Sequence, residues 1–297
     1  MWGLRPRWLK QLRGVRVKCA VRRLPVPLIS MSLSLRATGV LWRMSAPERR
    51  AILVLGGTAE AVKLADRLMT EWGDRFDVVT SLAGRTQAPG RMPGEVRVGG
   101  FGGVSLMARY MEDRGVCALL DATHPFAAQI SENARIACAT AGVPRIALVR
   151  PLWEHAPNDN WLMQPDLAAV AAVLPGIGKR VFLTVGRTNL SAFASCEDTW
   201  FLVRLIDMPD TPLPFPAGQV ISGRGPFAVA AEQRLMEEHK IDALVCKASG
   251  GEATRAKLVA ARRLGIPVLM VERPPAPTGP VADNIGVVVD WFEKQVT

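Results

Sequence analysis

The stretch AILVLGGTAEAVKLADRLMTEW, residues 51–72, decides the fold. It opens with five apolar residues in a row, a pattern typical of a parallel strand that is buried on both faces. Two glycines and Thr58 follow, and apolar residues then recur at helical spacing. The pattern predicts a strand, a tight turn and a helix, which together form the repeating unit of a parallel α/β sheet.

The same alternation of strand and helix continues on both sides of a proline-rich segment at 151–165. We therefore predict an α/β fold of two Rossmann-like, doubly wound parallel-sheet domains, 44–150 and 166–297, that face a central cleft. Residues 151–165 are the predicted linker. The predicted strands after the first are 76–82, 95–98, 117–123, 143–150, 179–185, 200–206, 241–249 and, as the last, 266–274.

The charge of the chain is concentrated at one end. The formal net charge is +10, but residues 1–43 contain ten Lys or Arg and no Asp or Glu. The other 27 basic residues are balanced by 27 acidic ones. A balanced body argues against binding to nucleic acid through phosphate contacts. No apolar run reaches the roughly 18–20 residues of a membrane span, so no membrane partner is expected either.

The basic leader, residues 1–43, has two interpretations. Its Arg-rich, acid-free composition fits a transit peptide. Alternatively, the start codon lies too far upstream, and Met44 is the natural first residue of MSAPERRAILVLGG. Both interpretations exclude the leader from the fold.

The five cysteines show neither a C-x-x-C motif nor the spacing of a zinc site. We predict a reducing, cytoplasmic compartment, with no disulfide and no bound metal.

Ligands of parallel α/β sheets collect at the carboxyl ends of the strands. In the first half, the turn Gly56–Gly57–Thr58 is either a phosphate cradle at a helix N-terminus or only a tight turn. The second strand ends without the acidic residue that binds the ribose of NAD, and Arg85 follows it. This favours NADP, although Arg85 could also be a solvated loop cation. The candidate cofactor-binding residues are Gly56, Gly57, Thr58, Glu60, Ser81, Arg85, Thr86, Gly100, Thr123 and His124.

His124 follows the fourth predicted strand and faces the expected cleft. It is either a structural histidine or a catalytic one, and it is the only catalytic candidate that the sequence offers.

The second half carries cations at the ends of neighbouring strands, which indicates a small polyanionic ligand. No catalytic triad or Walker lysine suggests hydrolysis or phosphoryl transfer. The candidate substrate-binding residues are Arg187, Arg204, Arg224, Lys247, Ser249, Gly250, Gly251, Thr254 and Lys257.

Several segments together resemble the precorrin-6A reductase family of cobalamin biosynthesis. The resemblance covers about residues 50–275, and its most specific motifs are the fourth strand end and the long glycine-containing segment near the C-terminus. The matching segments are ILVLGGTAEA (52–61), SLAGRT (81–86), DATHPFAAQIS (121–131), SGRGPF (222–227) and KASGGEATRAKLVAARRLGIPVLMVERP (247–274).

The resemblance implies NADPH in the first domain and a tetrapyrrole with many carboxylates in the second. It implies reduction of one ring double bond of precorrin-6A, which gives precorrin-6B. Because family members lack the usual dinucleotide fingerprint, it also implies that the turn at 56–58 is the cradle in a variant form. The proline-rich segment 207–219 is a hypothetical lid, and direct hand-over of product to the next enzyme is a further expectation.

Two alternatives remain open from the sequence. A reductase of the same class acts on the cobalt-bearing form of precorrin-6A. A two-domain α/β protein can also be a non-redox transferase or small-molecule binder.

Removal of residues 1–43 tests the interpretation of the leader. A chain that starts at Met44 is expected to fold and to keep the activity of the full chain, because the predicted core begins at Ala51. Circular dichroism and a thermal melt of both chains measure folding, and oxidation of NADPH with precorrin-6A, the reaction that the resemblance implies, measures activity. An insoluble or inactive truncated protein would show that the leader is needed.

Overall fold

The computed structural model describes residues 49–84 and 91–296. The leader 1–43, Arg85 and Thr86 therefore lie outside the described residues. Strands and helices alternate along the described chain. The strands are β1 (Ala51–Leu55), β2 (Asp77–Leu82), β3 (Glu95–Val98), β4 (Val116–Asp121), β5 (Arg145–Leu148), β6 (Trp161–Gln164), β7 (Arg180–Leu183), β8 (Trp200–Leu205), β9 (Gly218–Ser222), β10 (Ala243–Lys247), β11 (Val268–Val271) and β12 (Val281–Ala282).

The helices connect strands that run in parallel. The α-helices are α1 (Ala59–Trp72), α2 (Val104–Asp113), α3 (Ala128–Ala141), α4 (Leu167–Val173), α5 (Val229–Glu238), α6 (Ala256–Leu264) and α7 (Ile285–Val296), and 3₁₀ helices span Leu174–Gly176, Arg187–Phe193 and Glu252–Thr254. None of the helices in the described part of the chain has the length and apolar character needed to cross a bilayer.

The strands form two six-stranded sheets, with the orders β12-β5-β4-β1-β2-β3 and β6-β11-β10-β7-β8-β9. All strand pairs in both sheets are parallel. The predicted fold class, α/β with two parallel sheets and interleaved helices, is confirmed.

The opening stretch folds as its pattern predicts. All five residues of β1 are buried. In α1 the buried residues recur every three or four positions, so one stripe of the helix faces the sheet. Thr58 is the N-cap, and its side chain accepts a hydrogen bond from the Ala61 N–H. Each leucine of the stripe, such as Leu64, contributes on the order of 2 kcal/mol by its burial.

Helices cover both faces of each sheet. On the first sheet, α1 and α7 cover one face, and α2 and α3 cover the other. On the second sheet, α4 and the 3₁₀ helix Arg187–Phe193 pack on one face, and α5 and α6 pack on the other.

The first six strands in chain order do not all belong to the first sheet, nor the last six to the second. β6 joins the second sheet and β12 joins the first, which the sequence did not predict. β6 lies within the predicted linker 151–165, yet it pairs with β11 at the edge of the second sheet. β12 pairs with β5 of the first sheet, and α7 packs there as well, with Phe292 against Trp72 and Phe76. The prediction that 166–297 forms only the second half is therefore wrong for its last elements, as is the prediction that 266–274 holds the last strand.

One arginine ties the two crossing segments together. Arg273, just after β11, donates from Nη1 to the Arg150 carbonyl at 2.7 Å and from Nε to the Ala248 carbonyl at 3.0 Å. Its Nη2 donates to the carbonyls of Ser249 at 2.9 Å and Pro151 at 3.5 Å. A single guanidinium thus binds carbonyls of the segment that leaves the first sheet and of the loop that follows β10.

Loss of this guanidinium is expected to lower stability. Arg273→Ala leaves four carbonyls without their donor, which predicts a loss on the order of 3 kcal/mol in the free energy of unfolding. Urea denaturation measures it. Arg263→Ala, on the exposed side of α6, is the matched control and should change the value by less than about 0.5 kcal/mol. Equal effects of the two substitutions would contradict the role given to Arg273.

Candidate active site

The turn between β1 and α1 is built around Thr58 and two glycines with different constraints. The Thr58 hydroxyl accepts from the Ala61 N–H at 3.1 Å and donates to the Ala122 carbonyl at 2.8 Å, which ties the turn to the end of β4. A Cβ on Gly56 would lie 2.8 Å from the Thr80 side chain, whereas one on Gly57, at φ 109°, would meet no atom within 4 Å. Gly56 therefore serves packing, and Gly57 leaves open space before the helix N-terminus.

This turn fits the phosphates of a dinucleotide. The first N–H groups of α1 point out of the helix end, where backbone donors and the helix dipole favour an anion. The open approach at Gly57 permits close contact with the backbone. The side chain of Thr58 is already engaged, so only backbone groups of the turn are available to such a ligand.

At the end of β2 the structure adds a residue that the sequence did not single out. Thr80 and Ser81 are buried, and no carboxylate follows them before the end of the strand. Arg97, paired with Ser81 across β2 and β3, donates from Nη1 to the Ser81 hydroxyl at 3.3 Å. Its Nη2 donates to the Gly100 carbonyl at 2.9 Å. Arg97 thus links two predicted cofactor residues, Ser81 and Gly100.

Glu60 connects the predicted cofactor site with the predicted substrate site. Its carboxylate pairs with Arg150 Nη1 at 2.8 Å, and Arg150 Nε donates to the Ser249 carbonyl at 2.8 Å. A Cβ on Gly251 would lie 3.1 Å from the Glu60 carboxylate, and one on Gly250 only 2.0 Å from the Pro151 carbonyl. The two glycines are therefore required for the close approach of this loop to the first half of the chain.

A cavity of about 180 Å³ opens at the carboxyl ends of β4 and β5. It is lined mainly by the β4 end, by α3 and by residues 273–278. In its lining, Thr123 donates to the Asp121 carboxylate at 2.7 Å. Buried Arg145, outside the lining, lies 3.5 Å from the other oxygen of that carboxylate. The lining residues include Asp121, Thr123, His124, Ser131, Glu132 and Arg273.

His124 lines this cavity in a neutral state. Its Nδ1 accepts from the Phe126 N–H at 3.2 Å, which leaves the proton of the neutral ring on Nε2. Burial lowers the pKa of His124 to about 3, and Arg150, Lys247, Lys257 and Arg273 add to the effect by their charge. The ring is therefore a hydrogen-bond donor at Nε2 and not an imidazolium at neutral pH.

The predicted cations of the second half fall into different environments. Arg187 is half exposed, 3.9 Å from Asp210, and Arg224 is exposed. The Lys247 ammonium lies 5.1 Å from the Phe126 ring, which brings the end of β10 to the motif that contains His124. Lys257 is buried beside Trp153, and burial lowers its pKa. Thr254 closes the 3₁₀ helix Glu252–Thr254, just before α6.

Arg204 has a partner that the sequence analysis did not foresee. It pairs with the buried carboxylate of Glu232 through two hydrogen bonds, at 2.9 and 2.8 Å. Its guanidinium lies over the Phe182 and Phe227 rings, with centroids at 4.7 and 4.0 Å. Because the Glu232 carboxylate compensates its charge, Arg204 is a weak site for an external anion. Its contact with the Phe227 ring instead helps to position that turn.

The chain matches known proteins along most of its length. A family model described as precorrin-6x reductase CbiJ/CobK matches residues 51–293. A precorrin-6A reductase of Rhodococcus erythropolis is 48% identical over 241 residues, which is 81% of this chain and 96% of that protein. A cobalt-precorrin-6A reductase of Methanothermobacter thermautotrophicus is 30% identical, over 76% of this chain and 78% of its own.

A solved structure agrees with the fold. The chain is similar to CobK precorrin-6A reductase, with a TM-score of 0.79 and 42% identity, over 84% of this chain and 98% of that one. By the family model and by these identities, the chain belongs to the precorrin-6x reductase family.

Proposed function

We propose that this protein reduces a ring double bond of precorrin-6A to give precorrin-6B in cobalamin biosynthesis, with NADPH as the reductant. The observation that carries the proposal is the family match over residues 51–293, together with 48% identity to a protein named precorrin-6A reductase. The geometry at the strand ends of the first sheet supports the choice of a dinucleotide.

The residues that would hold NADPH are those at the carboxyl ends of β1, β2 and β4. The backbone of the turn Gly56–Gly57–Thr58 offers donors for the phosphates, and Ser81 with Thr123 offers hydroxyls on either side. The charge of Glu60, in the first turn of α1, is compensated by Arg150, which reduces its repulsion of a phosphate at this turn. When bound, NADPH supplies the hydride. The part of the protein is to orient the two reactants and to exclude water.

The tetrapyrrole is expected to bind through its carboxylates. Arg187, Arg224 and Lys247 lie at or just after the carboxyl ends of strands in the second sheet. Arg187 and Arg224 are exposed, and Lys247 is half-buried. Charge-assisted bonds from such groups orient a polycarboxylate without any chemical step of their own. The role of the segment 207–219 as a lid stays a prediction. Its Phe215 is buried and packs against Phe201, with tilted rings whose centroids are 4.4 Å apart, so this residue anchors the segment to the core.

His124 is proposed to orient a ligand and not to supply the proton. Its neutral ring donates from Nε2, while the cations around it oppose any protonation. The proton that accompanies the hydride then comes from solvent. The site role predicted for His124 is therefore limited to orienting a ligand through Nε2, and it stays a prediction.

The metal-free substrate is favoured over the cobalt-bearing one. Identity is 48% to the named precorrin-6A reductase and 30% to the named cobalt-precorrin-6A reductase. A cytoplasmic location and direct hand-over of the product to the next enzyme stay predictions.

The proposal is tested by incubating the protein with metal-free precorrin-6A and following NADPH absorbance, with NADH in parallel. The expected result is oxidation of NADPH and a corrinoid that is heavier by two hydrogens. Oxidation only with the cobalt-bearing substrate would support that alternative. A folded protein that oxidises NADPH with neither substrate would contradict the proposal and favour a non-redox transferase or small-molecule binder.

Lys247→Ala is expected to weaken the binding of precorrin-6A. Loss of one charge-assisted contact of about 1.5–3 kcal/mol raises KM about ten- to hundredfold. The Kd of NADPH should not change. Lys179→Ala, an exposed lysine at the amino end of β7, is the matched control and should leave KM unchanged. Equal KM values for the two variants would remove Lys247 from the binding site.

The neutral state of His124 predicts a dependence of stability on pH. The unfolded chain takes up a proton near pH 6.5 that the folded protein takes up only near pH 3, so stability is lost as the pH falls below about 6.5. Between about pH 7 and pH 5.5, the wild type should lose on the order of 1 kcal/mol more than His124→Gln. Urea denaturation at both pH values measures this. Parallel losses in the two proteins would contradict the lowered pKa.

A further inference from the structure

Arg97 is a partly buried cation that is held in one position by neutral groups. It donates from Nη1 to the Gly99 carbonyl at 2.5 Å and to the Ser81 hydroxyl at 3.3 Å, and from Nη2 to the Gly100 carbonyl at 2.9 Å. Its guanidinium also lies 3.9 Å from the centroid of the Phe101 ring and 5.3 Å from that of Tyr110. These contacts fix the position and plane of the guanidinium.

The charge of Arg97 has no carboxylate partner among the ion pairs of the described residues. Segment 85–90, which lies outside the described residues, contains no Asp or Glu. Arg145, Arg204 and Arg262 differ, since each pairs with a carboxylate. Arg273 resembles Arg97 in being bound by carbonyls, but it joins two segments of the chain and does not lie at the end of β2. A fixed guanidinium without an acidic partner is arranged to accept an anion from outside the chain.

The position of Arg97 identifies the anion. In a Rossmann-like sheet, the ribose of the adenosine lies at the end of the second strand, where an acid selects NAD and an arginine accommodates the 2′-phosphate of NADP. Here that strand is β2, and the hydroxyl at its end, on Ser81, is bonded to Arg97. We propose that Arg97, together with Ser81, binds the 2′-phosphate and determines the preference for NADPH over NADH. This inference rests on the proposed use of a nicotinamide dinucleotide.

The sequence favours Arg85 for this role, but Arg85 lies outside the described residues, and the structure offers Arg97. Arg97 belongs to a strand of the sheet and is aligned by two carbonyls and two rings. A cation positioned in advance loses less side-chain entropy when it binds a phosphate. Arg97 is therefore assigned the main part of the discrimination.

Calorimetric titration with 2′,5′-ADP and with 5′-AMP tests the inference without any turnover. The two probes differ only in the 2′-phosphate. The wild type is expected to bind 2′,5′-ADP more tightly. Arg97→Gln should reduce that preference about ten- to hundredfold, which corresponds to one charge-assisted contact. Arg97→Lys should restore part of it, and Ser81→Ala should reduce it by a smaller factor. The matched control is Arg109→Gln, an exposed arginine of α2.

The ratio of the two affinities decides the outcome. If the wild type does not distinguish the probes, the proposed preference for NADPH fails. If the wild type distinguishes them and Arg97→Gln keeps the ratio of the Arg109→Gln control, the assignment of Arg97 is overturned. A general loosening of the loop would weaken both probes equally and leave the ratio unchanged, so it also counts against the assignment. If Arg97→Gln does not fold, the ratios of Arg97→Lys and Ser81→Ala decide by the same criterion.

Discussion

The arrangement of this protein depends on the guanidinium of Arg273, which is bonded to carbonyls on two sides. Through it, the segment that leaves β5 and the loop that follows β10 are held against each other. Arg150 adds a second link, from Glu60 beside the first turn of α1 to the Ser249 carbonyl. Because carbonyls are neutral acceptors, Arg273 makes these contacts without being neutralised. Arg273 and Arg150 therefore hold the two segments together by hydrogen bonds, and their charge also contributes to the positive potential there.

The cations of this part of the protein differ in how much they contribute to that potential. Arg204 is compensated by Glu232, and Arg262 by Asp159, so each contributes little field at a distance. Burial is the main cause of the lowered pKa of His124, and the charges of Arg150, Lys247, Lys257 and Arg273 add to it. These charges add to the effect of burial in keeping His124 neutral, and the same positive potential would favour the proposed polycarboxylate substrate.

The sequence predicted those elements whose signals are local. The buried run of β1, the glycine turn and the helix after it lie within a few residues of each other, and the structure confirms them. β6 and β12 have only four and two residues, and each pairs with a strand far away in the chain, so no local pattern marks them. The pairing of Arg204 with Glu232, 28 residues further on, was hidden for the same reason. Arg97 was overlooked because polar and apolar residues alternate in β3, and this pattern alone accounts for a polar residue at position 97.

The exchange of β6 and β12 also orders events during protein synthesis. The first five strands of the first sheet, within residues 51–148, are synthesised early. Its β5 edge stays uncovered until residues 281–296 have left the ribosome. The second sheet, by contrast, is complete once β11 has emerged. The part of the chain made first is therefore finished last, and its exposed edge is a surface that chaperones can protect while the second sheet forms.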